Sequence, residues 1–467
     1  MPPTIATIIF IIGILGLFYL DRDETARMSK GLWVPAVWLF LMSSRAASIW
    51  FEVPPNLRSG ARPQDYIEGS PIDRAVFAFL LLAALAVLVA RRERVWPMVR
   101  KNAAIVLFFS FCAVSILWSD FSFIAFKRFT KAIGDLGMVL IILTESDPLA
   151  ALKRLVTRIG FLLFPLSVLF IKYIPSMGRS LTNSWTFASI GVTTQKNGLG
   201  LDCMIYGVFF LWMLRSVYRD RERPGQRRRL LAYGTIVAMI IWCLNSCQSM
   251  TSITGFAMAG GVMWLAGRPL RKPAAVHLLV LAVLGISLTA LFFDPGGGMV
   301  GALGRDSTLT GRRVTWGLLL SMHTNPWVGT GFESFWLGPR LVGVREAREN
   351  FPLNEAHNGY IEVYLNLGWA GLTLLALLLL TGYRRVIAAF RQDPERGSLL
   401  LGLFLATLFE SLTEAAFRMM SLSWFFLLLV IIAASKAVPP EPSVRTAGEL
   451  AKCEGPVWAF GSARVHQ

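Results

Sequence analysis

The sequence predicts an all-α, polytopic membrane protein with about 12–13 transmembrane helices and one long external loop. Three observations carry that expectation. Of 467 residues, 54% are hydrophobic and only 16% charged, and mean hydropathy is +0.55, more apolar than an ordinary water-soluble domain. Apolar runs of about 16 to 20 residues recur along the chain, close to the ~20 that a helix needs to cross a bilayer. The one long polar interruption, from Gly296 to Tyr364, is rich in arginine.

Taken in order, spans are expected near residues 3–20, 32–50, 72–90, 103–118, 124–143, 159–173, 197–214, 230–245, 251–266, 276–293, 365–381, 399–412 and 420–435. The opening run has neither the basic n-region nor the small-residue cleavage site of a signal peptide, so it reads as the first span. Between the spans lie basic connectors: Arg22, Arg27 and Lys30; RRERVWPMVRK at 91–101; Lys153, Arg154 and Arg158; the arginines from Arg215 to Arg229; Arg268, Arg271 and Lys272; and Arg384, Arg385, Arg391 and Arg396. They hold more than half of the 46 lysines and arginines. This is positive-inside behaviour, and it accounts for most of the net charge of +17 without a nucleic-acid partner. The expected organisation is a single transmembrane domain over 1–435, including an external loop at 294–364, then a disordered cytoplasmic tail at 436–467. An odd span count puts the N-terminus outside. The five cysteines are scattered without metal-site spacing, so neither a disulfide framework nor a metal is expected. No Walker A or dinucleotide fingerprint occurs, and no cofactor is expected.

Some charges stand where an apolar layer should run. In the segment 118–145, Lys127 and Lys131 share a helix face, Arg128 borders it, and Asp135 follows Lys131 by one turn. The bland reading is a Lys131–Asp135 pair with Lys127 and Arg128 snorkelling; the functional one is a basic end lining an anion cavity, oriented by Asp135. In GVTTQKNGLGLDCM, Lys196 and Asn197 offer donors at a span entrance and Asp202 lies deeper, unless the group is only a polar cap. In the long loop, Arg312 and Arg313 suit a pyrophosphate, because a guanidinium donates two hydrogen bonds in a fixed fork. His357 follows, at helical spacing with Ile361 and Tyr364, beside Asn358 and near Glu355 and Glu362. A cationic loop with one candidate proton acceptor points to an anionic, lipid-linked substrate; the bland alternative is a solvated loop surface.

Four motifs in order carry a family likeness: WSD at 118–120 with KRF and LTE following, TQKNGLG at 194–200, TLTGR at 308–312 with NPWVGTGF at 325–332, and AHNGYIEVYLNLG at 356–368. They resemble the O-antigen ligase/polymerase superfamily, and within it the ExoQ-like exopolysaccharide polymerases. The likeness runs over residues 1–435. It implies a GT-C-like glycosyltransferase of the bacterial inner membrane that uses undecaprenyl-pyrophosphate-linked glycans as donor and acceptor, without nucleotide sugar or metal. It gives His357 the role of base on the acceptor hydroxyl. Arg312 becomes the principal pyrophosphate ligand, with Arg128 and Lys196 lining the cavity. Arg313 exceeds the single arginine expected in TLTGR, and Gln248 and Met250 stand where relatives often carry a basic residue. Polymerisation of repeat units on the periplasmic face, alongside other polysaccharide-assembly proteins, is the favoured expectation. A ligase handing the glycan to another acceptor shares the chemistry. A lipid-linked oligosaccharide transporter would need the cations but no base.

Overall fold

The computed structural model describes residues 1–22, 29–51, 69–181, 186–220, 225–265, 308–322, 324–348 and 353–436, with part of 276–285. The chain begins with α1 (Pro3–Leu20). A second apolar run is split into α2 (Trp33–Met42) and α3 (Ala47–Phe51). This corrects the continuous span expected over 32–50. Arg45 sits in the break and donates to the carbonyls of Met177, Gly191 and Thr193, which satisfy a guanidinium that an apolar layer would not.

α4 (Pro71–Ala90) leads to α5 (Arg92–Lys101), and the chain then turns through 90° into α6 (Ala103–Ser115). The basic connector RRERVWPMVRK is therefore mostly helix, tied down by an Arg91–Glu145 ion pair at 2.7 Å. Next come α7 (Ser122–Leu143), α8 (Pro148–Tyr173), the single turn α9 (Pro175–Gly178), α10 (Lys196–Arg219), α11 (Gln226–Cys247) and α12 (Met250–Leu265). Arg179–Leu181 (β1) pairs antiparallel with Phe187–Ser189 (β2). Most of the expected span 276–293, and the expected tail apart from residue 436, lie outside the described residues. The expected loop contains α13 (Thr308–Ser321) and α14 (Gly338–Ala347), then runs into α15 (Gly359–Gln392), α16 (Pro394–Glu410) and α17 (Leu422–Ser435).

Among the described residues, α1, α4, α8, α10, α11 and α15 are long and apolar enough to cross a membrane, and the α5–α6 pair adds a seventh if counted as one bent span. The chain is a multi-span helical membrane protein. Fewer elements stand as full-length apolar spans than the sequence predicts, because α2 stops short of Arg45, α12 and α17 are short, and α7 carries Lys127, Arg128, Lys131 and Asp135. α17 is apolar all round and buried almost throughout, packed by α15, α16 and α7, as a central helix should be. α1 is its opposite: Ile5, Ile8, Ile12 and Leu15 are exposed, a surface for lipid to cover.

α15 breaks at Gly368, where φ is 62° and ψ −162°, a conformation essentially reserved for glycine. The turn at 325–331 fills the break. Thr330 N–H reaches the Leu365 carbonyl at 3.2 Å and Gly331 N–H that of Asn366 at 2.8 Å. In return, Trp369 N–H donates to Pro326 at 2.8 Å and Ala370 N–H to Trp327 at 3.0 Å. Interrupted backbone in an apolar layer needs such partners.

Candidate functional site at the start of α15

A capping side chain fixes the approach to α15. Asn358 accepts from the Tyr360 and Ile361 N–H groups, each at 3.0 Å, and donates to the Leu412 carbonyl at 3.0 Å. Gly359 N–H reaches the Ser411 carbonyl at 2.7 Å. The helix start is thereby pinned to the α16–α17 connection. Glu362, one turn on, accepts from Trp336 Nε1 at 2.6 Å, Ala356 N–H at 2.9 Å and Asn366 Nδ2 at 3.3 Å. It fastens the loop to the helix. His357 is not on the helix, as its spacing to Ile361 and Tyr364 implies, but just before it, with φ at 48°, an uncommon backbone for a residue with a side chain.

That backbone brings His357 Nδ1 to two carboxylates, Glu414 Oε2 at 3.0 Å and Glu355 Oε1 at 3.1 Å. An ionised carboxylate only accepts, so the network assigns the proton to Nδ1 and leaves Nε2 for other chemistry. The other oxygen of Glu414 takes Arg312 Nη2 and Asn197 Nδ2, both at 2.9 Å. The other oxygen of Glu355 faces Arg418 at 3.4 Å, and Arg418 also meets Glu333 at 3.4 Å. Arg128 donates to the Glu333 carbonyl. Charge thus alternates along Arg312, Glu414, His357 when its ring is protonated, Glu355, Arg418 and Glu333, which offsets the desolvation of the ionised members.

Burial disfavours the imidazolium, but the Glu414 hydrogen bond and the charges of Glu355 and Glu414 outweigh it, raising His357 above the ordinary imidazole value. Glu414 is the converse: burial pushes it up, and His357 and Arg312 hold it below the ordinary carboxylate value. Arg418 loses solvation yet stays firmly charged opposite Glu333, Glu362 and Glu355. The His357 side chain keeps 27% of its surface exposed, so a substrate can reach the ring. In its neutral form, the ring offers a base whose conjugate acid two carboxylates stabilise. Glu355, His357 and Glu414 also present donor atoms within 4.8 Å of one another, a spacing that suits a divalent cation. Here both carboxylates already meet guanidinium groups.

The structure brings Arg312, Asn197, Glu355 and His357 together, with Asn358 and Glu362 holding the frame and Arg128 touching its edge. Lys196 opens α10 beside Asn197. The Lys131–Asp135 pair is absent. Asp135 instead accepts from Trp38 Nε1 and the Met420 N–H, both at 2.8 Å, two donors that burial leaves in need of an acceptor. Lys131 lies over the Phe77 ring at 4.6 Å and Lys127 over Phe123 at 5.0 Å. Asp135 therefore anchors the entry to α17, and acts on Lys131 only through charge at longer range. Asp202 is buried in α10, one oxygen without a hydrogen-bond partner, and takes no part in the ion-pair chain. The side chain of Arg313 lies outside the described residues. Glu333, Glu414 and Arg418 are not among the candidates that the sequence offers. The signal for Glu414 and Arg418 is ESLTEAAFR at 410–418, a charged interruption between two apolar runs, and Glu333 stands just after NPWVGTGF.

Fold and site together define a multi-span membrane protein with a charged, histidine-centred cluster at one end of its helices. No protein-family model matches the chain. It is 26% identical over 311 residues to the exopolysaccharide production protein ExoQ of Rhizobium meliloti (strain 1021), covering 62% of this chain and 67% of that protein. It is 28% identical over 276 residues to the probable peptidoglycan glycosyltransferase FtsW of Halorhodospira halophila (strain DSM 244 / SL1), covering 56% of this chain and 62% of that one. The chain spans about two thirds of the length of the curated relatives it matches.

Proposed function

We propose that this cluster is the active site of a GT-C-like membrane glycosyltransferase that polymerises undecaprenyl-pyrophosphate-linked oligosaccharide units on the periplasmic face of a bacterial inner membrane. The carrying observation is His357, its Nδ1 engaged by Glu355 and Glu414 and its Nε2 left as the base. The acceptor hydroxyl oxygen attacks the anomeric carbon of the donor and passes its proton to His357 Nε2. The bond from that carbon to the pyrophosphate oxygen breaks, and its electron pair leaves with the lipid pyrophosphate. Arg312 meets the departing charge, with Lys196 and Arg128 in support. A single displacement inverts the anomeric centre. Glu355 and Glu414 are both committed to His357, which argues against a carboxylate nucleophile and a double displacement.

The names of both relatives concern glycan assembly, exopolysaccharide production in one and peptidoglycan glycosyl transfer in the other, which favours transfer over transport. The cluster's position away from the basic connectors favours the outer face. The test is reconstituted protein supplied with a polyprenyl-pyrophosphate glycan, scored by product length and released lipid pyrophosphate. His357→Ala is expected to bind donor and transfer more slowly by about 100-fold or more. Arg312→Ala should lose both, and Arg312→Lys should recover only part, since an ammonium lacks the fork. Undiminished transfer by His357→Ala would overturn the assignment. A single addition in place of a ladder of products would mark a ligase, and glycan crossing the membrane with no new glycosidic bond a transporter.

A further inference from the structure

A cavity lies at the other end of the helices that build the cluster. α10 starts at the cluster, where Asn197 meets Glu414. Ser216 lies about 28 Å further along its axis at ~1.5 Å per residue, close to the ~30 Å of a hydrocarbon layer. There Ser216 lines a cavity of about 500 Å³ bounded by the ends of α1, α8, α10, α11 and α16. Six cationic side chains line it, Arg22, Lys153, Arg154, Arg158, Arg229 and Arg396, against three carboxylates. Cations therefore outnumber carboxylates two to one; Asp21 also accepts from the Tyr233 hydroxyl at 2.7 Å, and Asp147 caps α8. Lys153 rests on the Trp212 ring at 4.8 Å and Arg158 on Trp33 at 4.7 Å, which helps to order these side chains. Phe18 and Met213 supply apolar wall, and α1, which closes one side, exposes its outer face.

Net positive charge over an apolar wall, beside a lipid-facing helix, matches an amphiphile with a phosphate head. We propose that this cavity binds the phosphate headgroup of an anionic phospholipid from the leaflet opposite the His357 cluster. The site is independent of the chemistry at His357. The same cations would hold free phosphate, so the test must separate the two sources.

The experiment is native mass spectrometry of the full-length protein in neutral detergent, with phosphatidylglycerol, cardiolipin or phosphatidylcholine added. The wild type is expected to retain the anionic lipids at least about tenfold better than phosphatidylcholine. Lys153→Gln/Arg154→Gln/Arg158→Gln should remove most of that preference, while Arg219→Gln/Arg227→Gln/Arg228→Gln, which removes as many cations outside the cavity lining, should keep it. Equal loss in both variants would mean general surface charge and overturn the proposal. So would displacement of the lipid by millimolar inorganic phosphate, which would assign the cavity to the free anion. Thermal melting checks folding. Should the triple variant not fold, Lys153→Gln and Arg158→Gln alone are each expected to lose about threefold, and no loss in either overturns the site.

Discussion

Glu355→Gln and Glu414→Gln, made singly and together, probe the role given to His357. The two carboxylates lie at 3.1 and 3.0 Å from the same Nδ1, so each can take over much of the other's task. A carboxylate that acts through the histidine it orients can cost no more than loss of the base itself, a factor of roughly 10²–10⁴. With a second acceptor in place, each single change should cost only about 10-fold, and the double change as much as loss of the base, ~10²–10⁴, or about 2.7–5.5 kcal/mol of barrier. Glu414→Gln should be the worse single variant, because Glu414 also holds Arg312 and Asn197. A pH profile adds a reading that a structural role would not move. The base is the neutral ring, so turnover rises with pH through the His357 pKa, which the two carboxylates raise. Losing either should shift that rising limb to lower pH while its plateau falls. The assay is transfer from a polyprenyl-pyrophosphate glycan in proteoliposomes across pH. A double variant keeping more than about a tenth of the wild-type rate, or an unmoved limb in Glu414→Gln, would refute the reasoning.

Gly368→Ala should unseat the turn at 325–331, since a Cβ there runs into the Trp327 backbone on a positive-φ residue; a loss of about 2–4 kcal/mol is expected, read as a lowered melting temperature in detergent. Asp135→Leu strands the Trp38 and Met420 donors and should sharply reduce folded yield, whereas Lys131→Ala removes a ring contact and the longer-range attraction of Asp73 and Asp135 and should cost about 1 kcal/mol or less. Chelator should leave the transfer rate nearly unchanged; a strict divalent requirement would turn Glu355, His357 and Glu414 into ligands.

Helices were legible wherever an apolar run decides the outcome locally. The breaks were not, because each depends on a distant partner. Gly368 reads as an ordinary span entrance in LNLGWAGL until the turn at 325–331 is laid against it. Arg45 interrupts a run whose rescue comes from carbonyls at 177, 191 and 193. The Lys131–Asp135 pair obeys one-turn spacing, yet a buried indole and a backbone N–H have the stronger claim on the carboxylate. In the site, His357 and Arg312 stood out by residue type and motif. Asn358 was visible as a polar neighbour of the histidine, although its capping role was not drawn. Glu414 joins His357 only through the pinning of α15 to residues 411 and 412, a tertiary contact that local pattern does not carry.

The splice between α15 and the turn at 325–331 bears on how the chain is made. Four backbone hydrogen bonds of a membrane span belong to a segment synthesised about forty residues earlier. That turn leaves the ribosome before Leu365 to Ala370, and the span is completed by docking onto it and not by coiling alone. A tag or reporter inserted within 325–331 would therefore deprive a membrane helix of its missing turn, whereas most external segments absorb such insertions at little cost.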